Sequence, residues 1–337
     1  MNSHGTRTLD EPSAGAKFPP PPPFDAESAV VLPDVIEAWP QPMGPEGIPA
    51  LRVMMESFDA TNEILERNGD YRVEERLAPG LNGDPDIPLI LCIPTAATGP
   101  VPVLYNMHGG GQVSGTHRNG LSASLDLAAP HGLAVVSVDY RLAPEHPDPA
   151  PVNDSYAGLL WLSKHADEFG LDADRIVVFG SSGGGGLAAG ITLMSRDRGG
   201  PVILAQMLQC PMLDDRLSTI SSHQLTEAGN LTRGSVETCW NALVGSARGS
   251  ENVSPYAAPA RVADLSGLPP TYIDVGSADP LRDESVAYAS TIWQSGGIAE
   301  LHVWPGMYHG SEFEIPTAAL SIAAINAREN WLRRILN

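Results

Sequence analysis

Val177-Val178-Phe179-Gly180-Ser181-Ser182-Gly183-Gly184-Gly185-Gly186-Leu187 leads from an apolar, β-prone run through a glycine-bracketed serine pair into a helix-like segment. It contains the pattern Gly-x-Ser-x-Gly. The pattern alone is short; its placement gives it weight, because a nucleophile elbow is a sharp turn between a buried strand and a helix. Such a turn predicts a strained backbone at Ser182 that exposes Oγ. Gly180 and Gly184, two positions either side, remove side chains that would collide as the chain folds back. The helix N-terminus behind Ser182 favours negative charge, and the Gly183 N–H is expected to point at the reacting oxygen. A phosphate-binding glycine loop is the competing reading, but no Lys follows the run. Gly185 and Gly186 exceed what the turn needs. At about 1 kcal/mol per helical glycine relative to alanine, they are expected to weaken the first helical turn.

Outward from the elbow, short β-prone runs occur at 71–77, 87–93, 101–107, 134–139, 175–179, 202–209, 271–275 and 301–304. From the third onward they are nearly continuously apolar, which predicts strands buried on both faces. Helix-like stretches lie between them at 119–130, 151–168, 187–198, 282–295 and 317–335. This alternation predicts an α/β fold with a mostly parallel sheet and helices on both faces. Residues 34–69 show apolar positions at helical spacing, including Val53, Met54, Phe58, Ile64 and Leu65. Residues 211–268 interrupt the alternation, and Thr232 is placed to N-cap a helix reaching Leu243. That insertion and the N-terminal helices together could form a lid over one edge of the sheet.

The run at 101–107 ends in His108-Gly109-Gly110-Gly111. Acyl transfer passes through an oxyanion that needs preorganised donors. Consecutive glycines let backbone N–H groups approach it, so Gly109, Gly110 and Gly183 are the candidate donors. His108 reads as a brace for the loop rather than a catalytic group. A serine nucleophile also needs an imidazole base and a carboxylate to hold it, and in this fold type the acid precedes the histidine. Asp279 and His309 stand just after the last two strands. Asp274, inside a strand, and Asp283, inside a helix, are poorer candidates for the acid; His302 reads as a packed strand residue.

Five motifs in this order resemble the hormone-sensitive lipase-like family of α/β-hydrolase esterases, from about Tyr71 to the C-terminus. They are His108 to Gly111, Asp139-Tyr140-Arg141-Leu142-Ala143-Pro144-Glu145, the elbow, Asp279-Pro280-Leu281-Arg282-Asp283, and Pro305-Gly306-Met307-Tyr308-His309-Gly310. The resemblance implies an α/β-hydrolase fold with an eight-stranded sheet and a helical cap. It divides the chain into an arm with cap helices (1–70), a first core part (71–210), a cap insertion (211–268) and a second core part (269–337). It implies cofactor-free hydrolysis of a small-molecule ester, of short to medium chain length, with Ser182 as nucleophile, His309 as base and Asp279 as its orienter. Gly109, Gly110 and Gly183 become the oxyanion hole. A homodimer is expected because the family often dimerises. A specialised ester, lactone, carbamate or amide remains an alternative substrate, and a non-catalytic binding relative the weaker rival. Asp139, Arg141 and Glu145 are expected to hold a structural turn among themselves.

Three departures bear on substrate preference: Ser181 and Gly183 in the elbow, Gln112 after the glycine run, and Ser311 after Gly310. Gln112, Ser181 and Met212 are the candidate substrate contacts.

The chain has 337 residues, 40 acidic and 20 basic, with a formal charge of −20. That acidity repels phosphate backbones and argues against nucleic acid. No run of 18 apolar residues predicts a membrane span. Residues 1–30 contain no apolar run after a basic start, so a secretory signal peptide is not expected. Cys92, Cys210 and Cys239 are far apart and lack metal-ligand spacing, which predicts reduced thiols in a cytoplasmic protein and no metal. Pro19 to Pro23, between Phe18 and Phe24, predict an extended arm; one role is a ligand for a proline-binding module, and the favoured reading is an arm that packs across its own protein by the two rings or is simply mobile. The charge is uneven: residues 1–70 carry −8, whereas residues 171–210 around the elbow are neutral. An acidic arm over the pocket is expected to disfavour anionic substrates.

Overall fold

In the computed structural model, which describes residues 18–39 and 44–337, all eight β-prone runs join one sheet. The strands are β1 (Tyr71–Ala78), β2 (Ile87–Pro94), β3 (Val101–Met107), β4 (Ala134–Val138), β5 (Leu171–Ser181), β6 (Ala205–Gln209), β7 (Thr271–Gly276) and β8 (Ala299–Trp304). Their order is β1-β2-β4-β3-β5-β6-β7-β8. The β1–β2 and β2–β4 pairs are antiparallel, and the remainder are parallel. Residues 1–17, which include most of the stretch read as lacking a leader, and 40–43 lie outside the described residues.

The helices are α1 (Ala26–Ala38), α2 (Ile48–Glu56), α3 (Asn62–Glu66), α4 (Leu121–Ala128), α5 (Ala150–His165), α6 (Gly183–Arg198), α7 (Ile220–Gln224), α8 (Arg233–Val244), α9 (Arg282–Gln294), α10 (Ser311–Glu314) and α11 (Ala319–Leu336). Successive strand residues point to opposite faces, so one strand feeds two cores. Val103, Tyr105 and Met107 enter a core shared with α5, α6 and α9; Leu104 enters one shared with α4 and α11. This is why the strand runs are apolar without alternation. β8 departs from the expectation: it is the sheet edge, and its residues are only half-buried or exposed. β2, by contrast, is buried through most of its length.

Register brings the strand ends together. Met107 pairs with Gly180, Ser181 with Gln209, and Gln209 with Asp274. The turns after β3, β5, β6 and β7 therefore meet along one edge of the sheet, the usual ligand side of parallel sheets.

Ile48 and Leu51 of α2 pack with Val236, Trp240 and Leu243 of α8, and Met212 joins them. The Thr232 hydroxyl accepts from the Ser235 N–H at 3.3 Å, capping α8 where the sequence placed the cap. The described part of residues 34–69 is helical, as read, in separate short helices, although Val53, Phe58 and Ile64 are exposed while Leu65 is buried. The break at 57–61 and the left-handed Arg67 (φ 47°) prevent one continuous apolar stripe. Phe18 stacks on His223 at 4.2 Å and Phe24 meets the Tyr308 ring edge-on, so the proline arm lies across the protein. Among the described residues, no helix is long and apolar enough to cross a membrane.

Candidate active site

Ser182 sits between β5 and α6 at φ 56°, ψ −120°, a conformation rarely adopted by a side-chain-bearing residue. The surroundings hold it there. Its N–H donates to the Gln209 carbonyl at 2.9 Å, and its own carbonyl accepts from Met212 N–H at 3.0 Å. The four glycines that follow have a packing reason. A Cβ on Gly184 would overlap the carbonyls of Met107 and His108, and one on Gly186 would overlap the Met212 carbonyl. On Gly185 it would come within 2.8 Å of Pro211, and on Gly183 within 2.8 Å of the Gln112 nitrogen. The start of α6 is wedged between the turns after β3 and β6, so helix propensity is yielded there for close backbone contact.

His309 Nε2 lies 2.9 Å from Ser182 Oγ, and His309 Nδ1 lies 2.8 Å from Asp279 Oδ2. Asp279 is fully buried, and its other oxygen accepts the Leu281 N–H at 2.8 Å. The carboxylate is thereby fixed before it touches the imidazole. Burial pulls the His309 pKa down, but the Asp279 carboxylate beside it pushes it up, and the net direction is well above the ordinary value. Burial also raises the Cys210 pKa, which keeps that group a thiol; the Asp279 carboxylate is the charge that holds the imidazole's proton. Asn230, in the stretch between β6 and β7, donates to the His309 carbonyl at 2.8 Å and steadies that residue's backbone.

The Gly109–Gly111 loop packs directly on the elbow: a Cβ on Gly109 would lie 3.7 Å from Ser182 Cβ. Gly110 has φ +102°, a region open chiefly to glycine. Among the described residues, the Gly109 and Gly110 N–H groups have no backbone acceptor, and the Gly183 N–H is in the unpaired first turn of α6. His108 braces this loop. It stacks on Tyr140 at 4.1 Å, its Nδ1 is 2.8 Å from the Gly109 carbonyl, and Tyr140 donates to the His108 carbonyl at 2.7 Å. Burial lowers its pKa to about 4, so the ring stays neutral.

A cavity of about 640 Å³ opens beside Ser182 and His309. Trp39, Leu51, Met55 and Val236 line it, as do Leu127, Phe179 and Ile325. Ser181 and Met212 line it, as does Phe58. Gln112 is not among its lining residues. With φ 61° its side chain turns inward, and Nε2 donates to the Gly183 carbonyl at 3.2 Å. It supports the elbow's backbone from behind.

The Asp139–Glu145 segment is also corrected. Its charges do not pair with one another but staple distant elements. Asp139 meets His117 at 3.1 Å; Arg141 grips Asp154 at 2.7 Å and Asp84 at 2.8 Å; Glu145 holds Arg52 of α2 at 2.6 Å. Arg52 also donates to the Val113 and Ala143 carbonyls, tying α2 to the core. Asp154 is buried, so removing Arg141 would strand its charge at a cost of about 3–5 kcal/mol.

One polar group went unread in the sequence. Arg328 of α11 donates to Asp274 at 2.8 Å and Glu312 at 2.6 Å, and Gln209 also donates to Glu312 at 2.6 Å. All four are buried, and Gln209, Glu312 and Arg328 line the cavity. The signal was a lone arginine in the buried stripe Ala324, Arg328, Trp331 and Leu332. His302, in contrast, stacks on Trp304 and meets Glu300 at 3.0 Å, as a packed strand residue.

Residues 104–313 match a family model described as alpha/beta hydrolase fold. Carboxylesterase NlhH of Mycobacterium tuberculosis is 36% identical over 271 residues, covering 79% of this chain and 82% of that protein. Among solved structures, a bacterial heroin esterase superposes with TM-score 0.86 at 38% identity, over 93% of this chain and 98% of its own. A thermostable esterase from Pseudomonas putida superposes with TM-score 0.81 at 28% identity, over 96% and 99%.

Proposed function

This chain belongs to the α/β-hydrolase fold family, among its hormone-sensitive lipase-like carboxylic ester hydrolases, and we propose that its reaction is carried by Ser182, His309 and Asp279 on neutral esters of short to medium chain length. The observation that carries the reading is the continuous hydrogen-bonded line from Ser182 Oγ through His309 to buried Asp279, at the wall of a mostly apolar cavity. Ser182 Oγ attacks the ester carbonyl carbon while His309 Nε2 takes its proton. The N–H groups of Gly109, Gly110 and Gly183 receive the oxyanion. Collapse expels the alcohol, protonated by His309, and leaves the acyl group on Ser182. Water, deprotonated by His309, then releases the acid.

Residues 1–70 and 211–268 are read as the cap, residues 71–210 and 269–337 as the catalytic core. The packing of α2 on α8 above the cavity supports that division. The site is read as closed to long acyl chains because cap side chains wall one side of it. A homodimer is proposed, supported by the exposed Trp293, Ile298 and Val303 beside or on the β8 edge; sedimentation tests it. A reducing, cytoplasmic setting is proposed on three free, buried cysteines. The test of the substrate reading is a p-nitrophenyl ester panel. Acetate to hexanoate are expected to be hydrolysed, with kcat/KM falling steeply for long chains; a maximum at palmitate would overturn it.

A further inference from the structure

Cys210 has no role in the reaction described above, yet it borders the triad. It stands after β6, buried, with φ 35°. One ligand atom each from Cys210, Asp279 and His309 lies within 4.8 Å of the other two. Cys210 and Asp279, though not His309, line a void of about 10 Å³ together with Asp274, Tyr308 and Arg328. That is room for about one water-sized particle. Among the described residues, the Asp274 Oδ1 and Tyr308 Oη atoms have no hydrogen-bond partner. Asp274 and Glu312 pair with the guanidinium of Arg328, and Asp279 pairs with His309.

The donor set is one thiolate sulfur, one imidazole nitrogen and one carboxylate oxygen. That set suits zinc or cadmium rather than magnesium or calcium. Tetrahedral zinc at ordinary bond lengths separates such ligand atoms by roughly 3.3–3.6 Å. The three ligand atoms lie within 4.8 Å of one another and would draw around the cation, while the His309–Asp279 contact of 2.8 Å would open by roughly half an ångström.

We propose that Cys210, Asp279 and His309 form a latent three-ligand site for a soft divalent cation, and that its occupation switches the esterase off. The inference rests on the reading of His309 as the base. On binding, a metal–sulfur bond replaces S–H and the thiol proton leaves to solvent. A cation on Nδ1 moves the ring proton to Nε2; a cation on Nε2 takes that lone pair itself. In either case no lone pair remains to accept the Ser182 proton.

The test titrates Cd²⁺ into the full-length protein. It follows the thiolate-to-cadmium ultraviolet absorption band and, in parallel, hydrolysis of p-nitrophenyl acetate. The wild type is expected to bind one equivalent, with the band and the loss of activity rising together. Cys210→Ala should lose the band and require at least about tenfold more Cd²⁺ for half-inhibition. Cys210→Ser, which keeps a similar volume, provides the same comparison if the alanine variant folds poorly. Equal Cd²⁺ sensitivity in both variants and the wild type, or a band that persists without Cys210, would overturn the proposal. An inactive wild type that still shows the Cys210-dependent band would count against His309 as base and leave the metal site standing.

Discussion

Ser182 Oγ and His309 Nε2, 127 residues apart in the chain, lie 2.9 Å from each other. The serine is held in a strained backbone by flanking turns, and the histidine by a carboxylate that is itself hydrogen-bonded. Neither position survives without the parallel register that ends β3, β5, β6 and β7 along one edge.

The pH profile follows from the partner of the base. With Asp279 beside it, His309 holds its proton above the ordinary histidine range. The base must be neutral to act, so kcat/KM should rise with pH and its acid limb should lie above about 6.5. Asp279→Asn should move the limb down and lower kcat by about 10⁴. A limb that stays in place in the variant would show that another group sets it.

His108 predicts an acid-sensitive fold. Its folded pKa is about 4, against about 6.5 in an unfolded chain. The folded value is the lower, so the unfolded state binds more protons between them. The stabilisation is fully present above pH 6.5 and is lost as the pH falls to about 4, a change of about 3 kcal/mol. Urea unfolding at pH 7 and pH 4.5 checks it: His108→Gln should show a shallower pH dependence than wild type. An identical dependence contradicts the assignment.

The glycine run yields a prediction opposite to helix propensity. Propensity alone says that alanine in α6 gains about 1 kcal/mol per site. The overlap with the Met107, His108 and Met212 carbonyls says that Gly184→Ala and Gly186→Ala should each destabilise the protein, by about 1–3 kcal/mol. Thermal unfolding separates the two, and a stabilised variant would refute the packing account.

Charge should sort substrates. Residues 1–70 carry −8 and residues 171–210 none. At low salt a neutral ester should be hydrolysed faster than a monoanionic analogue of equal size, and added salt should shrink the difference. A monoanionic ester that is the faster substrate at low salt would contradict the reading.

What the sequence made legible was local. The elbow, the glycine run after β3 and the Thr232 cap each depend on neighbours within a few residues. The pairings of Arg141 with Asp84 and of Glu145 with Arg52 were not legible, because their partners lie 57 and 93 residues away on other elements. Gln112 was misplaced because its positive φ reverses the direction its side chain takes. The surplus glycines were visible, but their reason lies in carbonyls contributed by two other turns. Asp274 was seen only as a poor triad candidate; its pairing with Arg328 joins β7 to α11, which no spacing rule relates.

The central claim is that His309 activates Ser182 as the nucleophile. The most direct measurement is labelling of the folded protein with a fluorophosphonate, with the modified residue located by peptide mass spectrometry. One label per chain, on Ser182, is predicted, falling by orders of magnitude in His309→Ala, alongside a loss of ester hydrolysis by Ser182→Ala of about 10⁴-fold or more. Unlabelled Ser182 in folded, ester-hydrolysing protein, or a Ser182→Ala variant with wild-type turnover, would contradict the account.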